Sequence, residues 1–234
     1  KGNTINEKIK NNQLLKNKKQ TMRKLFLLAA VSFLATATFA QSEKYLASMK
    51  ANIAAIDSSF KNPQNLLDLA NKFERIAIAE KNQWLAYYYA AFCQVNYTYM
   101  EKDKTKVDAI ADKATELIDK ADALQPNNSE ISCIKSMIAS AHMMVNPMQR
   151  FQVYGPEAQS YLDAAMQQDA TNPRPEYLKG QGLKYTPEQF GGGCVTAKPV
   201  LQSSLAKYGT FKPASEIHPT WGKQRVELLL SECK

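Results

Sequence analysis

Apolar residues along most of this chain recur at three- and four-residue spacing, the period of a helix with one buried face. Leu46, Met49, Ile53 and Ile56 follow it, as do Leu66, Ala70, Phe73 and Ala77. β-Branched residues never alternate over four or more positions, so nothing reads as a strand. The pattern predicts helices over 43–59, 63–80, 82–101, 104–124, 129–145, 156–169, 174–184, 194–208 and 220–232. Breaks between them carry helix-start chemistry. Asn62-Pro63, Gly155-Pro156 and Thr186-Pro187 each set a residue ahead of a proline suited to the first helical turn. Pro126 to Glu130 ends one helix and caps the next. Short turns between helices make neighbours antiparallel, and paired helices without strands form a bundle or a solenoid.

An internal repeat favours the solenoid. Ala114, Ile118, Ala121 and Pro126 form a small–large–small–proline run. Small residues let one helix of a hairpin approach the other, the large one fills the groove, and proline ends the helix. Ala158, Leu162 and Ala165 repeat the spacing, and Ala70, Phe73 and Ala77 give a weaker copy. The fold class predicted is therefore all-α, antiparallel hairpins stacked as a short solenoid.

The ends change how charge is read. From Met22 the chain runs Met-Arg-Lys, then apolar residues from Leu25 to Phe39, then Ala40-Gln41. These are the parts of a secretory signal peptide over 22–40, cleaved before Gln41. The apolar run is short of the ~20 residues of a membrane span, so no stable membrane insertion is expected after cleavage. Residues 1–21, Lys- and Asn-rich, read as upstream sequence translated from a misplaced start, or else as a disordered basic tail. The whole chain carries +8, but residues 1–40 hold eight of its 30 basic side chains and one of its 22 acidic ones. What remains over 41–234, read as a single domain, is close to neutral, which removes the electrostatic case for nucleic acid.

Four cysteines lie in that domain, and in an exported protein three pairings of them are possible. Cys194 with Cys233 is the preferred bridge, one beside a glycine turn and one near the C-terminus. Cys93 and Cys133, among apolar residues, read as buried small hydrophobes.

The segments Asn146–Arg150, Tyr185–Gly193, Phe211–Pro213 and His218–Gly222 carry a family likeness. With the repeat spacing, they resemble divergent tetratricopeptide-repeat-like proteins exported by Gram-negative bacteria. Such relatives have a Phe-Gly-Gly turn, a Tyr-x-x-Phe matched here by Tyr208 and Phe211, and a closing Trp-Gly matched by Trp221-Gly222. Cys194-Val195 departs from the polar residues usual after that turn. The resemblance implies a helical platform and does not specify what binds to it.

Candidate chemistry is sparse. Gly191, Gly192 and Gly193 lack the strand and Lys-Ser/Thr of a phosphate loop and read as a tight structural turn. Met137, His142, Met143, Met144 and Met148 hold soft donors. Only Met144 with Met148, or Met137 with Met144, share a helical face, so they read as core fillers and no metal is expected. His142 and His218 are the two histidines, and the serine-hydrolase and zincin signatures are absent. Asp108, Asp112 and Glu116 read as a solvated face. No catalytic residue, enzyme activity or cofactor is expected. The aromatic helix over 84–99 is the binding candidate. Tyr88, Phe92 and Tyr99, joined by Trp84, suit its core side, and Tyr89 and Tyr97 fall on its flanks. Trp84, Tyr88, Tyr89 and Tyr97 are either a recognition surface or inter-repeat packing. The function predicted is non-enzymatic: a periplasmic or secreted scaffold for a peptide or protein partner. The alternative is a small-ligand-binding accessory of an envelope transport system.

Overall fold

The computed structural model describes residues 43–233; the segments 1–21 and 22–40 lie outside the described residues. Of the unit ending at Ala47, the described residues are helical. The following unit, from Ser48, contains the solenoid. In chain order the helices are α1 (43–54), α2 (Ile56–Ser59), α3 (Pro63–Glu80), α4 (Trp84–Met100) and α5 (Lys104–Leu124). They continue as α6 (Ser129–Val145), α7 (Pro147–Gln168), α8 (Arg174–Tyr185), α9 (Cys194–Thr210) and α10 (Lys223–Glu232), with a 3₁₀ turn at Glu188–Phe190. There is no strand among the described residues.

Starts are set by side chains that satisfy free backbone N–H groups. Asn62 Oδ1 accepts from the Gln64 N–H at 3.1 Å ahead of Pro63, and Asn128 Oδ1 accepts from Glu130 at 2.9 Å. Gly155-Pro156 does not start a helix. Asn146 caps α7 ahead of Pro147, and the helix runs through Pro156 without a break. Proline there removes one backbone bond, at the Gln152 carbonyl. Gln152 and Pro156 are both exposed, so water can satisfy that carbonyl, which lessens the cost of the proline. Thr186-Pro187 likewise opens only the 3₁₀ turn, because Thr186 is already the C-cap of α8.

From α2 onward each helix packs on its neighbours in sequence, and α4, α6, α8 and α10 also pack in turn, each on the next. They form an inner layer, with α3, α5, α7 and α9 outside, the stacked-hairpin solenoid that the sequence predicts. The repeat residues carry the packing. Ala114, Ile118 and Ala121 are fully buried, and Ala158, Leu162 and Ala165 are the buried residues of α7. Ala70, Phe73 and Ala77 of α3 are buried beneath α4, where Phe73 stacks on Tyr89 at 5.2 Å.

The turn at 191–193 needs its glycines. Gly191 and Gly193 have φ of +82° and +87°, and a Cβ on Gly192 would fall 2.0 Å from the Thr186 carbonyl oxygen. Cys194 follows directly and is disulfide-bonded to Cys233, tying the start of α9 to the end of α10. Cys93 and Cys133 are free and buried.

Candidate functional site

The inner layer is divided by the chain itself. Beyond α9, prolines at 213 and 219 keep residues 211–222 out of a helix, and this segment lies against the N-terminal ends of α4 and α8. Tyr89 Oη donates to the Ile217 carbonyl at 3.0 Å, and Trp221 Nε1 donates to Tyr88 Oη at 2.8 Å. Tyr208 Oη donates to the Trp221 carbonyl at 2.9 Å. The Trp221 ring lies 5.0 Å from Phe92 of α4 and 6.0 Å from Tyr177 of α8. It thereby fills the inner layer between those helices.

Arg174 anchors the segment from beneath. It is fully buried, donates to the Pro219 carbonyl, and lies over the rings of Phe211 and Trp221, 4.9 and 5.2 Å from their centres. Its charge is met by Glu130 of α6 at 2.7 Å, which also accepts from Asn172 at 3.0 Å. Burial pushes the Glu130 carboxyl up to about 7, against the opposing pull of Arg174. The stability contribution has a definite sign. A raised folded-state value favours the folded protein fully below the ordinary value of 4.5, and that advantage is lost as pH rises to about 7. Unfolding free energy should therefore fall by up to about 3 kcal/mol over that window. Urea denaturation of Glu130→Gln across the same range should show the fall abolished, and an unchanged slope would exclude Glu130 as its source.

The aromatic candidates on α4 do not form one surface. Tyr88 and Tyr89 are buried, so neither is a recognition residue in this fold. Trp84 sits edge-on to Tyr88 at 5.8 Å and to His218 at 5.7 Å, at one end of the helix. Tyr97 lies thirteen residues further on, about 20 Å along a helix, with its hydroxyl on Glu101 at 3.0 Å. The reason is α4's central place: α3, α5, α6 and residues 211–222 surround it, so burial extends beyond one stripe. Trp84, Tyr88 and Tyr89 thus serve packing between repeats.

The histidines and methionines also separate. His142 is held by Asp108 at 2.8 Å and stacks on Tyr154 at 5.1 Å. Asp108 also takes both guanidinium nitrogens of Arg150, at 2.6 and 2.8 Å, and that contact lowers its carboxyl to about 2. Asp108 is therefore a tie between α5 and α7 rather than part of a solvated face. Burial and Arg174 both lower the pKa of His218, whose Nδ1 meets Ser215 Oγ at 2.8 Å. Among the described residues no group of His, Cys, Asp or Glu is placed to hold a metal ion.

The other end of the inner layer is open and apolar. Tyr99, Met144 and Tyr185 stand within a residue of the C-terminal ends of α4, α6 and α8 and are 37%, 45% and 59% exposed. The Tyr99 hydroxyl donates to the Met137 carbonyl at 2.6 Å. Met144 lies on the same face of α6 as Met137, seven residues on. From α10, Leu228 is 46% exposed, and Arg225 Nη2 donates to Tyr185 Oη at 2.9 Å. Sequence reasoning placed Tyr99 in the core and passed over Tyr185 and Arg225. The available signal was position: three large residues ending alternate helices.

No protein-family model and no curated protein matches the chain. Among solved structures, the HusA haemophore from Porphyromonas gingivalis matches at 37% identity with a TM-score of 0.73, covering 81% of this chain and 92% of that one. No helix among the described residues is long and apolar enough to cross a membrane.

Proposed function

This chain belongs to the HusA haemophore family, and from that premise we propose that it is a non-enzymatic haem-binding protein working outside the cytoplasm. The observation that carries this reading is 37% identity sustained over 92% of the HusA chain. The open end of the inner layer is the surface suited to the ligand. A porphyrin is a wide, flat, largely apolar ring. Tyrosine gives such a ring broad contact at low entropic cost, and methionine adapts to its contour. Tyr99, Met144, Tyr185 and Leu228 supply these types on four neighbouring helices.

The alternative, an extended peptide along the whole inner layer, meets an obstacle. At the N-terminal ends of α4 and α8 that layer is occupied by residues 211–222, held by the buried Arg174 and by two tyrosine hydroxyls. A short apolar platform remains, which fits a compact ligand better than a peptide. Absorbance titration of haemin with the purified protein should give a saturable change in the Soret band at one haemin per chain. Tyr99→Ser with Tyr185→Ser should weaken it about tenfold or more, the range expected when two ring contacts are lost. A spectrum indistinguishable from haemin in buffer would refute the proposal.

A further inference from the structure

We infer that Arg225 is a specificity-determining residue of this site, a cationic anchor for a carboxylate on the edge of the bound macrocycle. The inference rests on the haem reading and adds the chemistry by which one kind of porphyrin is chosen over another.

Arg225 stands in the first turn of α10, half-buried, with its guanidinium oriented by the Tyr185 hydroxyl at 2.9 Å. Among the described residues it forms no ion pair. The inner layer's other arginine, Arg174, meets Glu130, and Arg150 outside it meets Asp108, whereas Arg225, like the exposed Arg75 of α3, has no carboxylate within 4.0 Å among the described residues. Glu232, whose carboxylate is influenced by Arg225, is already taken by Lys184. The helix does not account for the cation either, since positive charge in a first turn opposes the helix dipole. What remains is a fixed guanidinium beside two exposed apolar residues, Tyr185 and Leu228, the latter three positions on and therefore on its own face of α10. A flat apolar ligand on those residues that carried a carboxylate at its rim would meet Arg225 there. The planar guanidinium takes a carboxylate through two parallel hydrogen bonds, which fixes orientation as well as charge.

The test compares haemin, which has two propionate groups, with its dimethyl ester, titrated into the full-length protein and followed in the Soret band. The unaltered protein should bind the free acid about tenfold or more tightly than the ester, in line with a charge-assisted hydrogen bond. Arg225→Gln should lower acid binding to the level of the ester and leave ester binding unchanged, with Arg225→Lys in between. Full discrimination retained in Arg225→Gln would overturn the inference while leaving haem binding intact. Equal loss of both ligands would also overturn it, showing that Arg225 merely supports α10. Binding of neither ligand by the unaltered protein would remove the haem reading itself, and the anchor with it.

Discussion

Arg174→Ala should lower the unfolding free energy by about 3–5 kcal/mol at pH 8, among the largest effects of any single change in this molecule. Three losses coincide at that side chain. Glu130 would keep its burial but lose the cation 2.7 Å away, and an uncompensated charge inside a protein is expensive. The Pro219 carbonyl would lose its donor, and the rings of Phe211 and Trp221 would lose the guanidinium over them. At pH 5 the penalty should shrink, because a Glu130 carboxyl that titrates near 7 then escapes its charge by taking a proton. Glu130→Gln combined with Arg174→Met should be more stable at pH 8 than Arg174→Ala, since no charge is then stranded. Urea denaturation of the three proteins at both pH values measures this. A loss under about 1 kcal/mol at pH 8 would mean that the buried pair does not hold residues 211–222 in place.

Tyr89→Ala should cost a comparable amount, about 3–5 kcal/mol, as for other large aromatic truncations in cores. The ring is 2% exposed, stacked on Phe73 at 5.2 Å and edge-on to Tyr88 at the same distance. Its hydroxyl reaches across 128 residues of chain to the Ile217 carbonyl. Tyr89→Phe keeps the ring and should lose only about 0.5–1.5 kcal/mol, the net worth of one hydrogen bond. Tyr97→Ala, whose hydroxyl touches only its own helix at Glu101, should be nearly neutral by comparison. Thermal and urea unfolding of the three variants separates a core tyrosine from a surface one, and a Tyr89→Ala protein as stable as the parent would contradict the packing described.

These two residues also mark where sequence patterning stops. The small–large–small triplets at 70–77, 114–121 and 158–165 were legible because each is local: three residues on one helix face, all buried as their spacing requires. Asn62 and Asn128 were legible as caps for the same reason, and Gly191 to Gly193 as a turn. Gly155-Pro156 misled because a helix can carry an internal proline where water meets the orphaned carbonyl, and exposure is a tertiary property. Tyr89 misled because its side of α4 is covered by α3 and by a segment 128 positions away. The open platform was hidden for a related reason. Arg225 and Tyr185 are 40 residues apart in sequence and meet only because α8 and α10 pack together. The expectation of a peptide partner followed from stacked hairpins in general. Residues 211–222, packed against the N-terminal ends of α4 and α8, favour a compact ligand instead.

The most direct test is to locate iron by anomalous diffraction in crystals of the protein grown with haemin. The iron should lie over the inner layer at the C-terminal ends of α4, α6 and α8, within reach of Tyr99, Met144 and Tyr185. Iron on the outer helices, or crystals that exclude haemin while the free protein remains folded, would contradict it.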